Sequence, residues 1–304
     1  MARVKRNISK KLVKGRERKA HISAINVVLQ PHNPDLYVAL MRAMYKSEYA
    51  VKIRGQSALM VGSCSSITRG KPQFGLTGVF YKFFKLDANE PWFDTETRSV
   101  ADKEEVSKIV IPENLKPHLQ EFSYVFYPKG HRLYFVSRRS GAYLSPKFVL
   151  DYFERLVQQE EFSTFGSIKF TIEPEVDAVA KIFSLSRIKS IFLDINKPNP
   201  DDLRSAEAKM KARMSAQNIS RQQSTFVEAT NEGIKPDADT KILIKVAASN
   251  GKAVAKGIDA KGAMVEVSTE SHPLSEPMSY DSNVQTETTA LQSFASELHQ
   301  QIVQ

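Results

Sequence analysis

Nine cations crowd the first twenty residues: Arg3, Lys5, Arg6, Lys10, Lys11, Lys14, Arg16, Arg18 and Lys19, against one acid, Glu17. Cations at this density neutralise phosphates, and each contact releases condensed counterions, which makes binding salt-dependent and indifferent to base sequence. The arm holds a net +8 of the chain's formal +9, so the remaining residues are close to neutral. A second set of cations sits among aromatics: Phe122, Tyr124, Phe126 and Tyr127, then His131, Arg132, Tyr134, Phe135, Arg138 and Arg139. Aromatic faces beside arginines can stack and hold single strands. Alternating aromatics are also the core face of a sheet, and strand propensity favours that reading. Arg132, Arg138 and Arg139 then stand as candidate phosphate contacts. The arm has two other uses, on an anionic membrane surface or as a solubilising tail. Ile8, Leu12 and Val13 give it only a thin apolar face with no Trp or Phe anchor, which weakens the membrane alternative.

Catalytic constellations are sparse. The histidines, His21, His32, His118, His131, His272 and His299, do not fall at the short spacings that put two ligands on one metal, and Cys-x-x-Cys does not occur. His131, in a turn, and His272, before Pro273, read as surface or turn residues. Gly70-Lys71 follows an expected strand, but a phosphate loop puts its first glycine five positions before such a pair and Ser or Thr after it. Here Gly62 stands eight before Gly70, and Pro72 follows the lysine. The run Gly62-Ser63-Cys64-Ser65-Ser66 lacks the Gly-x-Ser-x-Gly elbow of a hydrolase. Cys64 has no histidine at adjacent spacing to activate its thiol. Asp201, Asp202, Glu207 and Lys209 look like the acid-and-lysine set of a metal-dependent nuclease. On a helix, however, Glu207 and Lys209 point to nearly opposite sides, which reads as a charged solvent face. No catalytic residue, metal site or cofactor is assigned.

These residues have to be held by secondary structure, and the patterning indicates which. A hydrophobic fraction of 41% and a charged fraction of 25% exclude a disordered chain, a collagen and a coiled-coil rod. No stretch approaches the roughly 18 apolar residues of a membrane span. No apolar segment backs the N-terminal charge, so a secretory signal is not expected, and a single cysteine fits a reducing cytoplasm. A strand is expected over 22–29, and Asn33-Pro34-Asp35 should open a helix over 34–46. Strands near 50–62 and 76–87 follow, then an irregular span over 88–120 with a helical turn near 101–109. A hairpin is expected over 122–136 about Pro128-Lys129-Gly130, and an amphipathic helix after Ser145-Pro146. Beyond Gly166 the pattern becomes strand 168–172, helix 176–183, strand 188–195 and a helix opened by Asn199-Pro200-Asp201. A polar loop over 215–240, strands at 242–246 and 263–267 and a last helix over 284–302 complete the reading. The fold class is α+β, with small antiparallel or mixed sheets and packed helices. Three parts are expected: a basic arm over 1–20, an N-terminal domain over 21–163 and a C-terminal domain over 164–304. Leu291, Phe294, Leu298 and Ile302 stripe the last helix, which predicts a homodimer through the C-terminal domain.

Ile172-Glu173-Pro174, Ile191-Phe192-Leu193-Asp194-Ile195 and Asn199-Pro200-Asp201-Asp202-Leu203, with Val267-Ser268-Thr269, His272-Pro273-Leu274 and Tyr280-Asp281, resemble a bacterial family of unknown function. That resemblance spans most of the chain and describes a fold rather than a chemistry. The organisation, a basic N-terminus, a mixed domain, a strand–helix repeat and a final helix, is also similar to that of RexA-type phage-exclusion proteins. This likeness implies a homodimeric, sequence-tolerant DNA binder in anti-phage defence, working with a second defence protein. The expected function is therefore a cytoplasmic, non-enzymatic nucleic-acid-binding protein, with DNA rather than RNA the expected ligand. Two alternatives stay open. One is a metal-dependent nuclease or toxin built from dispersed acids; the other is a protein-interaction module whose arm binds nothing.

Overall fold

The computed structural model describes residues 16–86, 90–199 and 205–303. Strand β1, Glu17–Gln30, begins inside the stretch expected to be arm, because Glu17, Arg18 and Lys19 pair with Asp281, Tyr280 and Ser279. Helix α1, Pro34–Lys46, starts where its cap dictates: Asn33 accepts the Asp35 amide at 2.9 Å and Pro34 takes the first helical position. Strands β2 (Val51–Arg54) and β3 (Ser57–Val61) form a hairpin, followed by β4 (Ser65–Ser66) and β5 (Leu76–Phe84). The span before β8 (Gln120–Tyr127) holds only a two-strand ribbon, β6 (Phe93–Asp94) with β7 (Ser99–Val100), and one short helix, α2 (Lys103–Ser107). β8 and β9 (Arg132–Arg139) make the expected hairpin, and β10 (Ala142–Tyr143) folds back on β9. Ser145 then caps α3, Pro146–Leu156, by accepting the Phe148 amide at 3.1 Å.

The remaining elements are β11 (Ser167–Ile172), α4 (Ala178–Phe183), β12 (Arg187–Asn196), α5 (Ser205–Ala216), β13 (Arg221–Val227), α6 (Ala238–Asn250), β14 (Gly251–Ile258), β15 (Met264–Ser268), β16 (Glu276–Asp281) and α7 (Glu287–Val303). Several of these correct the sequence reading, among them the strands at 251–258 and 276–281, where none was expected. Residues 221–227 are a strand, formed by pairing with β12, although the segment is polar. Residues 242–246 belong to a helix: Asp237 caps it by accepting the Thr240 amide at 2.8 Å, and Ile244, Ala247 and Ala248 bury one helical face.

The larger sheet has ten strands, in the order β11-β1-β9-β8-β5-β3-β2, with β16 also on β1, β10 on β9 and β4 on β5. All its pairings are antiparallel. Its central strands are covered on both faces, which explains the aromatic hairpin. Tyr124, Phe126, Leu133 and Phe135 pack with α1 and α3, while the alternate residues Val125, Tyr134 and Val136 face α7. The aromatics are core, not a stacking platform. A second, four-stranded sheet, β13-β12-β14-β15, packs Ile191, Leu193 and Ile195 against Met210 and Met214 of α5 and Ile244 of α6. The α+β class holds, but the expected cut at 163/164 is not the division between sheets. β11, β16 and α7 complete the first layer, and the second sheet takes only strands β12 to β15.

The stripe on α7 is satisfied within the chain. Leu291 and Leu298 are buried, and Phe294 packs against the same cluster, which contains Ala20, Ile22, Val125 and Val136. The side chain of Ile302 lies outside the described residues. A homodimer through this helix has lost its basis.

Asn199 also departs from its expected role. Its buried side chain ties the two layers, with Oδ1 accepting from the Tyr37 hydroxyl at 3.0 Å and Nδ2 donating to the Val27 carbonyl at 3.1 Å. Pro200 and Asp201, expected to continue its helix start, lie outside the described residues. Asn33→Ala should cost about 1 kcal/mol through cap loss. Asn199→Ala strips two bonds from buried partners and should cost about 2 kcal/mol. Urea unfolding of both variants measures the difference, and equal losses would return Asn199 to a capping role.

His131 corrects the expectation of a surface position: it is fully buried in the β8–β9 turn, with φ +56°. Burial, then the neighbouring His32 and Arg132, pulls its pKa down to about 2. His299 on α7 is held near 4, again chiefly by burial. Its Nε2 lies 2.9 Å from the Lys129 carbonyl, which can only accept, so Nε2 carries the proton and Nδ1 accepts from the Tyr134 hydroxyl at 3.2 Å. Both rings are therefore neutral in the folded state, whereas an unfolded histidine titrates near 6.5. Below that pH the unfolded chain takes up protons that the folded chain refuses. This contribution to stability is complete above about pH 6.5 and is lost as pH falls toward 4. Thermal melts between pH 7 and 4.5 should show a falling midpoint, and His299→Gln should make the fall shallower. A midpoint flat across this window would contradict the assignment.

Candidate nucleic-acid interface

Strand pairing brings the two sets of cations together. Across the β1–β9 ladder Ala20 lies opposite Arg139 and His21 opposite Arg138, so the end of the arm and the end of the hairpin share one edge of the sheet. A groove of about 830 Å³ opens there. Arg18, Lys19, Arg138 and Arg139 supply its positive charge, Glu17 and Glu287 its negative charge, and Tyr280 and Ser282 complete it from the β16 side.

A local irregularity aims the arginines. The ladder skips Ser137, whose hydroxyl receives a hydrogen bond from Ser23 at 2.9 Å and donates to the His21 carbonyl at 3.2 Å. One extra residue in a strand bends it and redirects the side chains that follow. Gly141, at φ +75°, then closes the tight return to β10, a conformation that a side chain would strain. That return sets Tyr143 beneath Arg138, whose guanidinium carbon is 5.3 Å from the ring centroid. Arg138 is exposed, so its stacked guanidinium presents donors to the groove.

Arg139 is more constrained. Its Nη2 donates to the Glu121 carbonyl at 2.6 Å, its Nη1 is 3.4 Å from Glu287, and it lies over the Phe122 ring. It anchors the groove and partly offsets Glu287. Burial, and then the Glu287 charge, raise the Tyr280 pKa, which keeps a neutral hydroxyl donor beside the cations. Arg16, just outside the groove, accepts through its carbonyl from the Ser282 amide at 3.3 Å and hydroxyl at 3.2 Å. Arg3, Lys5, Arg6, Lys10, Lys11 and Lys14 lie outside the described residues.

Of the proposed contacts, Arg132 is excluded. It is 4% exposed, with Nε 2.5 Å from Glu173 and Nη1 donating to Asn26 at 2.6 Å and to the Gly130 carbonyl at 2.9 Å. A phosphate cannot reach it without dismantling the core. Glu207 is likewise buried at 4% exposure, not on the solvent face expected of it, while Lys209 is exposed. Its position follows the spacing to Met210 and Met214 on the buried face of α5. Asp201 and Asp202 lie outside the described residues. Among the described residues no group of three or more His, Cys, Asp or Glu is placed to hold a metal ion. Burial pushes the half-buried Cys64 thiol above its ordinary pKa, which opposes thiolate chemistry.

The family described as Domain of unknown function (DUF4747) matches residues 18–296. The chain belongs to this family. The DUF4747 match takes in Arg18, Lys19, Arg138, Arg139 and Tyr280 of the groove, and residues 1–17 fall outside it. No curated protein matches the chain. Among the described residues, no helix is long and apolar enough to cross a membrane.

Sequence reasoning missed Tyr143, Tyr280 and Glu287 as parts of the groove. Tyr280-Asp281 stood out only as a motif, since Glu-Pro-Met-Ser-Tyr-Asp lacks the apolar alternation of a strand. Only its pairing with β1 reveals its place.

Proposed function

We propose that this protein binds nucleic acid, with DNA as the expected ligand, through the phosphate backbone and with little regard to sequence. The observation that carries the reading is the convergence of Arg18, Lys19, Arg138 and Arg139 on one groove, at the sheet edge from which six more cations extend in sequence. Phosphate oxygens are the ligand such a surface favours, and phosphates carry no sequence information directly. Arg138 and Lys19 would contact phosphate directly, Arg139 would hold the wall, and residues 1–15 would extend the contact along the duplex. The similarity in organisation to RexA-type phage-exclusion proteins supports a place in cytoplasmic anti-phage defence, alongside a second defence protein. Self-association, which the same similarity implies, would use a surface other than α7.

A gel-shift assay on supercoiled plasmid, with and without magnesium, tests the reading against its alternatives. Binding without cleavage in both conditions is expected. Magnesium-dependent nicking would favour a nuclease, and no shift at low salt would favour a protein-interaction module.

A further inference from the structure

The span between β5 and β8 has a character unlike the rest of the surface. Within residues 90–119, Phe93, Val100, Val110, Leu115 and Leu119 are each more than half exposed, Val110 at 85%. Trp92, Val106, Ile109, Ile111 and Leu115, with Leu86 at the base, line a cleft of about 310 Å³. Apolar residues concentrated this way on a surface mark an interaction site. The same thirty residues carry seven acids against four cations, a net charge of −3. One of the acids, Glu90, is engaged by Lys52 at 3.1 Å.

The partner that fits this lobe is in the same chain. Residues 1–15 contain six cations and no acid, and Val4, Ile8 and Leu12 recur at four-residue spacing, the period that puts side chains on one face of a helix. Topology brings the two near each other. β1 begins, β9 ends, β8 begins and β5 ends at one edge of the sheet, as the pairs Ala20–Arg139 and Lys82–Gln120 and the β8–β9 hairpin require. Three strand spacings, about 14 Å, separate the start of β1 from the end of β5. Fifteen residues span about 22 Å as a helix and about 50 Å extended, so the segment reaches the lobe from Arg16.

We propose that residues 1–15 dock on the 90–119 lobe of their own chain, with Val4, Ile8 and Leu12 covering the cleft and the arm's cations facing the lobe's acids. This docking is that of the free protein and does not depend on whether the groove binds nucleic acid; phosphates of a bound duplex would compete with the lobe for the same cations.

Trp92 is the only tryptophan in the chain and lines the cleft, so its emission reports what covers it. Deleting residues 1–15 should shift that emission to the red while leaving far-ultraviolet circular dichroism unchanged. A synthetic peptide of residues 1–15 should reverse the shift saturably, and the same peptide carrying Ile8→Asp and Leu12→Asp should not. In the full chain, Val110→Asp, at a solvent-exposed position, should give a red shift of the same sign. Four results would overturn the proposal. These are emission unaffected by the deletion and by the peptide, an equal response to a scrambled peptide of the same composition, no shift on Val110→Asp, and full-chain emission that changes on dilution. The last would assign the arm to a second copy.

Discussion

A chain lacking residues 1–15 should fold as the full chain does, yet lose about 4–5 units from its slope of log affinity against log salt on duplex DNA. The deletion removes six cations and no acid. Each phosphate contact contributes about 0.9 to the slope, so four to six lost contacts give the range stated. The cut belongs at residue 15 because Glu17, Arg18 and Lys19 are paired strand residues, and removing them would expose the edge of β16 as well as remove charge. The loss should be the same on unrelated sequences, since phosphates carry no sequence information directly. An unchanged slope would confine binding to the groove, and a lowered melting temperature would make the segment part of the fold.

Arg132→Ala should be among the most destabilising single substitutions in the protein, at about 3–5 kcal/mol. The side chain holds together several elements at once. It pairs with Glu173, just beyond β11, and bonds Asn26 on β1, whose Nδ2 donates to the Ser249 carbonyl on α6 at 3.1 Å. Truncation removes the Arg132 charge from beside the buried Glu173 carboxylate, and desolvation there is expensive. Against a typical total stability of about 5–15 kcal/mol, such a loss threatens folding outright. Replacing both partners, Arg132→Met with Glu173→Leu, should recover much of it by removing both charges. Urea unfolding compares the three proteins. A single-variant loss under 1 kcal/mol would show that the pair does not hold the layers together.

The contrast between Arg132 and Arg138 shows where sequence reasoning stopped. Both lie on β9, six residues apart, and strand periodicity alone would place them on the same face. What separates them is the extra residue Ser137 and the cover that Glu173 and Asn26 provide, neither of which leaves a local signal. Short-range chemistry was legible. Asn33-Pro34-Asp35 and Ser145-Pro146 fixed the starts of α1 and α3, and Pro128-Lys129-Gly130 marked the hairpin turn. At Asn199 the same triplet runs outside the described residues, and what its sequence did not reveal is that the tertiary partners Tyr37 and Val27 engage the Asn199 side chain. Residues 242–246 misled: a short β-branched run resembles a strand until the Asp237 cap and the helical spacing of its buried residues are considered together. The groove itself depended on pairing between residues far apart in sequence, such as Arg18 with Tyr280, and only its cations could be named in advance.

The groove is proposed to bind phosphates without reading sequence. This is tested most directly by fluorescence-anisotropy titration of two unrelated DNA duplexes over a series of salt concentrations, with the full chain and with a Lys19→Glu, Arg138→Glu variant. Both exchanged residues are exposed, so the melting temperature should not change. The full chain should bind the two duplexes with similar affinity. The variant should bind both more weakly, with a salt slope flatter by about 2 units, one for each contact removed. A variant that keeps the full affinity and slope, or a full chain that strongly prefers one duplex, would contradict the account.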